Sequence, residues 1–181
     1  MSYEGDNIKS VINDLQKFVV NTPVLRFDFI DSLCNCNVFF KCENFQRTGS
    51  FKYRAAINAI KNMPVEFRQT GVITHSSGNF AHALARAAYE LKIPCHIVMP
   101  NNAPNFKKSS VLSYTKNVVE CESNLQSRQF TTSEILKNKN LYFIHPSNNM
   151  DVILGNSTCA LEFIEEYSNL DFIFSPIGGG G

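Results

Sequence analysis

The sequence predicts an α/β fold built on parallel sheet, and three observations predict it. From residue 72 onward, short apolar runs alternate with segments of helical periodicity, the pattern of successive βαβ units. Of the 181 residues, 44% are apolar and 12% aromatic, enough to pack the core of one large domain or two small ones. The last apolar run, Phe172–Phe174, leads into four glycines. In open α/β sheets, ligands bind just beyond the carboxyl ends of strands.

The elements follow in order. Ile8, Val11, Leu15 and Phe18 recur at helical spacing and predict an opening amphipathic helix, ended by Asn21-Thr22-Pro23. Val38–Lys41 reads as a strand. After a polar turn, Ser50 starts a helix whose Ala56, Ile60 and Met63 share a face, and Pro64 ends it. Val72–Thr74 is a strand, Ser76–Asn79 a turn, and Phe80–Leu91 a helix with Ala81, Leu84, Ala88 and Leu91 aligned. Cys95–Met99 is a strand between prolines, Asn105–Ser113 a helix and Val118–Cys121 a strand. Leu125–Lys137 is a helix of poor periodicity, and Tyr142–Ile144 a strand. Asp151–Tyr167 is a helix carrying Leu154, Thr158 and Leu161 on one side, and Phe172–Phe174 is the last predicted strand.

Charge excludes some functions. Seventeen Lys and Arg are mixed with 16 Asp and Glu, for a formal net charge of +1. No basic stripe predicts a nucleic acid or anionic membrane as partner. The polar start MSYEGD and the shortness of every apolar run predict neither a leader nor a membrane anchor, so the expected location is cytoplasmic. The six cysteines are then expected as reduced thiols. Cys34-Asn35-Cys36 would be half a metal site, but no second Cys or His pair has matching spacing, so no metal ligand is assigned.

Three segments carry chemistry. In ENFQRTGSFKYRAA, Glu43–Ala56, Lys52 falls in the first turn of a predicted helix. The positive helix N-terminus disfavours a cation there, which lowers the amine's pKa and frees it to attack a carbonyl. Taken alone, Lys52 reads equally as a surface lysine, and Thr48 and Ser50 as N-caps. In THSSGNFAHALA, Thr74–Ala85, a strand runs into Ser76-Ser77-Gly78-Asn79 and then into a helix. Free N–H groups at that N-terminus, two hydroxyls and the Asn79 amide fit a carboxylate; the plainer alternative is a well-capped helix. Gly178, Gly179, Gly180 and Gly181 leave backbone N–H groups unobstructed and allow a nest around a phosphate. No Gly-Lys-Ser/Thr follows, so they are not a P-loop, and a disordered tail is the alternative. An amine nucleophile, a carboxylate cradle and a phosphate cradle together are what pyridoxal 5'-phosphate acting on an amino acid requires.

On these residues the sequence resembles the fold-type II pyridoxal-phosphate enzymes, most of all the serine racemase and threonine (serine) dehydratase family. Its lysine motif is an acidic residue, a short spacer and T-G-S-F-K-x-R-G/A-A. Glu43 and Thr48-Gly49-Ser50-Phe51-Lys52-Tyr53-Arg54-Ala55-Ala56 meet it. HSSGN at His75–Asn79, IPCHIVMP at Ile93–Pro100, APNFKK at Ala103–Lys108, IHP at Ile144–Pro146 and SPIGGGG at Ser175–Gly181 follow in family order. The family has His where Phe80 stands, and serine racemases have Asn where Ser147 stands.

The resemblance implies a tryptophan-synthase-β-like fold of two parallel-sheet-based domains. A small domain is expected at 71–148, and a large cofactor-binding domain at 1–70 plus 149–181. The large one is expected to be incomplete, because family members continue past the glycines. Lys52 is implied to carry pyridoxal 5'-phosphate and to act as base on one substrate face. Phe51 would pack beside the cofactor, Asn79 would hydrogen-bond its phenolic oxygen, and Gly178–Gly181 would bind its phosphate. Ser76, Ser77, Gly78 and Asn79 would hold the substrate carboxylate, with Ser77 as acid/base on the opposite face. The implied activity is that of a serine racemase or an L-serine (L-threonine) ammonia-lyase. Loss of the α-proton leads to a 2-oxo acid and ammonia by β-elimination, or to the D-enantiomer by reprotonation. The family also implies a homodimer, and a divalent metal (Mg or Mn) with ligands beyond the end of this chain. The alternative expectation is a truncated, catalytically inactive remnant of the family.

Overall fold

The chain opens with α1 (Gly5–Leu15), then pairs β1 (Val24–Arg26) antiparallel with β2 (Phe39–Lys41) across α2 (Asp28–Cys34). The computed structural model describes residues 5–180; Gly181, the last residue of the expected phosphate loop, and residues 1–4 of the expected large domain lie outside the described residues. Two single 3-10 turns, Glu43–Phe45 and Arg47–Gly49, lead into α3 (Lys52–Asn62). The alternation follows: β3 (Val72–His75), α4 (Asn79–Glu90), β4 (Cys95–Pro100), α5 (Asn105–Leu112), β5 (Asn117–Cys121), α6 (Leu125–Asn138), β6 (Tyr142–Phe143) and α7 (Met150–Glu166).

Strands β3 to β6 form one parallel sheet in the order β5-β4-β3-β6. The two central strands are buried throughout, as parallel strands covered on both faces must be. Side chains alternate between two cores. Val72, Cys95, Ile97 and Met99 join the α3–α4 side, whereas Ile73 and Val98 pack with Leu141, Ile135 and Leu136 of the α6 side. The chain steps outward from β3 to β4 to β5, then α6 carries it back so that β6 lies on the other side of β3. The order therefore reverses between β3 and β6, a switch point at which a crevice opens beyond the carboxyl ends of the strands.

Helix α3 is buried all round, from Tyr53 to Ile60. It packs on α7, α4 and α1, and Asn58 donates to the Asp151 carbonyl at 2.8 Å. Gly155 allows the close crossing of α3 and α7: a Cβ there would meet the Arg54 carbonyl oxygen at 2.6 Å and the Ala55 Cα at 2.7 Å.

At the α3–α7 crossing lies an ion cluster. Arg54 is 0% exposed. Its Nε and Nη2 donate to the two Glu43 oxygens at 2.9 Å each, and its Nη1 and Nη2 donate to Glu162 at 2.7 and 2.8 Å. Lys41 lies 3.1 Å from Glu162, and the Thr22 hydroxyl donates to Glu43 at 2.6 Å. Burial alone would lower the Arg54 pKa, but the hydrogen bonds and charges of Glu43 and Glu162 outweigh it and hold the pKa above its ordinary value.

Three local expectations are corrected. Phe172–Phe174 is no strand: no described strand pairs with it, and Phe172 and Phe174 are 80% and 92% exposed. The sequence reading has neither β1 nor α2. Helix α2 buries no residue and is too short for its apolar Phe29, Ile30 and Leu33 to establish a period, although Asp28 and Asp31 in its first turn and left-handed Asn35 at its end are boundary signals. Thr48 and Ser50 do not cap α3, which has no side-chain cap at all.

Two substitutions test this packing. Arg54→Leu leaves Glu43 and Glu162 sharing only Lys41, so it is expected to cost about 3–5 kcal/mol in urea unfolding. Gly155→Ala forces α3 and α7 apart and is expected to cost about 1–3 kcal/mol in the same measurement.

Candidate active site

Lys52 is the first residue of α3, and the approach to it breaks local rules. Thr48 has φ 63°, a left-handed conformation that a β-branched residue rarely adopts, and Gly49 follows with φ 70°. Gln46 pins this turn: its Oε1 accepts from the Val20 and Arg47 N–H groups, each at 3.0 Å, and its Nε2 donates to the Val20 carbonyl at 2.8 Å. The hydroxyls of Thr48 and Ser50 are buried with no hydrogen-bond partner among the described residues. Lys52 is half-buried, with its ammonium 4.7 Å from the centroid of the Phe51 ring. Its pKa is lowered, as the sequence predicts, with burial as the cause.

On the other face of the motif, Tyr53 stacks with Arg47 and Arg86, and its hydroxyl donates to Glu90. Burial and the Glu90 carboxylate raise the Tyr53 pKa, so this phenol stays protonated.

The Ser76–Asn79 turn leaves β3 and enters α4. The α4 N-cap is Gly78, with no side-chain cap. The well-capped alternative therefore does not hold, and the first N–H groups of this twelve-residue helix lack capping acceptors. The Ser76 hydroxyl oxygen accepts from the Gly78 N–H at 3.3 Å, folding the turn back on itself. Ser76 is buried, Ser77 and Gly78 half-buried and Asn79 exposed, and a Cβ at Gly78 would meet nothing.

Beyond β6 comes the loop His145-Pro146-Ser147-Asn148. The structure brings the glycine segment to it: a Cβ at Gly179 would lie 2.7 Å from the Ser147 Oγ, while Gly178 and Gly180 face open space. Gly180 has φ 79°, a conformation suited to glycine. Sequence reasoning chose neither His75 nor His145 as a site residue, yet their rings meet at 5.5 Å at the switch point. No single segment shows this pair, because 70 residues of chain separate its members; only the return of β6 to β3 creates it. Among the described residues, no group of three or more His, Cys, Asp or Glu could hold a metal, and no helix is long and apolar enough to cross a membrane.

This arrangement offers an amine held below its usual basicity, a helix N-terminus open to an anion, and a bare glycine backbone beyond the sheet. A family model described as pyridoxal-phosphate dependent enzyme matches residues 15–181. The chain is 39% identical over 175 residues to a serine racemase of Dictyostelium discoideum, covering 97% of this chain and 54% of that protein. It is 41% identical over 167 residues to a beta-hydroxyaspartate dehydratase of Paracoccus denitrificans, covering 92% and 53%. The solved structure of maize serine racemase matches with a TM-score of 0.87 at 37% identity, over 92% of this chain and 50% of that one. The chain spans about half the length of the relatives it matches.

The histidines give a pH prediction. His75, His82, His96 and His145 all have lowered pKa values, with burial the main cause in each. Above about pH 6.5 each is neutral folded and unfolded, and contributes no slope. Below that, the unfolded chain takes up protons first, so stability falls until the folded values are passed. The unfolding temperature is expected to be flat between about pH 7 and 8, below the range where unfolded thiols ionise, and to drop toward about pH 5, where ordinary carboxylates are still ionised. A rise over that range would contradict it.

Proposed function

The chain belongs to the pyridoxal-phosphate dependent enzymes, and on that premise we propose that it serves racemisation or ammonia-lyase chemistry on L-serine or L-threonine. The observation that carries this is Lys52: a half-buried amine of lowered pKa, opening a fully buried helix, within the motif Thr48–Ala56. The names of the relatives, serine racemase and beta-hydroxyaspartate dehydratase, support the substrate class.

The residues present fit the cofactor. The Lys52 amine can bind covalently to its aldehyde carbon, and the burial that lowers its pKa favours the neutral, nucleophilic form. Gly178 and Gly180 leave room for phosphate oxygens, and no side chain fits at Gly179. Phe51 and Asn79 would flank the ring and its phenolic oxygen, with Gly181 completing the phosphate loop. When bound, the cofactor supplies the electron sink for charge left at the substrate α-carbon.

The chain's own residues then divide the work. Ser76, Ser77 and the N–H groups of Gly78 and Asn79 hold the substrate carboxylate at the uncapped start of α4. Lys52 takes the α-proton from one face. Return of a proton from the Ser77 hydroxyl on the other face gives the D-enantiomer. Loss of the β-hydroxyl gives, after hydrolysis, a 2-oxo acid and ammonia. Residues 71–148, which contain the whole parallel sheet, would be the small domain, and 1–70 with 149–181 the cofactor-binding one. A second reading, a chain that keeps these motifs without turnover, is favoured by the bare apolar run of Phe172, Ile173 and Phe174.

Borohydride reduction with the cofactor present is expected to leave a phosphopyridoxyl group on Lys52, found by peptide mapping, and none in Lys52→Ala. An adduct elsewhere would overturn the assignment. With L-serine, Ser77→Ala is expected to lose D-serine formation by about 100-fold while keeping 2-oxo acid release. An adduct on Lys52 without any turnover would favour the second reading.

A further inference from the structure

We propose that His145 is a positioning residue for the phosphate-binding segment: its unprotonated Nδ1 fixes the Ser147–Asn148 backbone, which sets the Ser147 side chain against Gly179, while His75 backs the ring. This rests on the reading that the glycines hold the cofactor phosphate.

The hydrogen bonds are specific. The His145 Nδ1 accepts from the Ser147 N–H at 3.1 Å and from the Asn148 N–H at 2.7 Å, with the Ser147 Oγ at 3.4 Å. A ring nitrogen that accepts two N–H groups carries no proton, so the ring must be the Nε2–H tautomer; an imidazolium has no acceptor at all. The next residue, Asn149, accepts the Val152 N–H at 3.1 Å and starts α7, so the loop is tied at its far end too. Between these anchors lies Ser147, whose Oγ and Cβ would be 2.7 and 3.0 Å from a Gly179 Cβ. Ser147 is thus the place where the glycine segment touches the sheet side of the cleft.

His75 holds the ring from behind. It is 4% exposed, its ring centroid is 5.5 Å from that of His145 at 87°, and Phe143 closes the cluster at 5.5 and 6.0 Å from the two histidines. The His75 Nδ1 is buried with no hydrogen-bond partner, so a charge there would be unsolvated. His75 faces His145 from the loop after β6 and Arg128 from α6; no carboxylate acts on either ring among the described residues. Both pKa values are lowered from the ordinary histidine value, with burial the main cause, and His145 and Arg128 add to it at His75. At neutral pH the loop is locked. Acid places a proton on the His145 Nδ1, breaks both N–H contacts and frees Ser147 from Gly179.

Three measurements on the full chain test this. Nitrogen-15 shifts of the four histidine rings at about pH 7.5 are expected to show His145 with a bare Nδ1 and a protonated Nε2. An Nδ1–H tautomer or an imidazolium would overturn the proposal without any variant being made. Next, binding of pyridoxal phosphate and of pyridoxal is compared by absorbance. In His145→Phe the phosphate form should weaken by about tenfold with pyridoxal little changed, and His145→Asn, whose Oδ1 can replace Nδ1 as acceptor, should restore most of it. Equal phosphate-form binding by wild type and His145→Phe overturns the inference. If the wild-type chain holds pyridoxal phosphate no better than pyridoxal, the reading of the glycines fails first, and the inference with it. Finally, the advantage of the phosphate form should fall more steeply with acid in wild type than in His145→Asn, whose side chain cannot be protonated, the titration of the phosphate itself being common to both. An equal fall in both overturns the role given to the His145 proton.

Discussion

The fork of Arg54 between Glu43 and Glu162 is the constraint on which the rest of the structure hangs. It joins pieces of chain with no local reason to meet: the 3-10 turn at Glu43, the core helix α3 and the last helix α7, with the Val20 carbonyl as a further acceptor at 3.3 Å. Two cations, Arg54 and Lys41, meet two carboxylates, so the cluster is neutral. Desolvating these charges is costly, and an apolar replacement of the whole cluster would be as stable or more so. What the cluster supplies is discrimination. Arg54 presents a rigid fork, and both carboxylates meet it two-pronged. Any other approach of α7 to α3 would strand a buried charge. Gly155, about two turns before Glu162 on α7, permits the same crossing by lacking a side chain.

That constraint reaches the chemistry through two residues of sequence. Arg54 is fixed, so the first turn of α3 is fixed, and Lys52 with it. The preceding segment carries the strain: a left-handed Thr48, two buried unpartnered hydroxyls and a helix start with no side-chain cap. Each of these is unfavourable by itself, and together they occupy residues 48–52. Rules broken in one short stretch, and held by an over-determined scaffold around it, are what the proposed role of Lys52 requires. The amine inherits its environment from that scaffold: burial against Phe51 and the core lowers its pKa.

Much of this was legible in the sequence where the signal is local. The βαβ alternation from residue 72 announced the parallel sheet, because apolar period and turn residues are properties of adjacent positions. The Lys52 motif and the Ser76–Asn79 turn were visible for the same reason. What depends on partners was not. Phe172–Phe174 has the composition of a strand, but a strand exists only beside another. Helix α2 is only seven residues, too short for the spacing of Phe29 and Leu33 to set it apart from a loop. Dipole reasoning gave the direction for Lys52 but not the burial that lowers its pKa, since burial is a property of the whole fold. His75 and His145 are invisible as a pair, because only the strand order brings them together.

The two parts of the molecule differ in how firmly they are held, and this bears on where positioning is needed. The parallel sheet is covered on both faces, and its central strands are wholly buried. The antiparallel ribbon β1–β2 has only two strands, which are marginal by themselves. Beside it a cavity of about 560 Å³ is lined by Val38, Phe39, Phe163 and Phe172, with Phe172 and Phe174 largely bare. The glycine segment emerges from this less covered side, exposed throughout Gly178–Gly180 and unpaired with any described strand. Its own backbone cannot set its position, since glycines have the widest conformational freedom. A Cβ at Gly179 would meet a side chain of the rigid side, Ser147 in the loop after β6. A phosphate site built on such a segment borrows its geometry from the sheet, through whatever holds Ser147 in place.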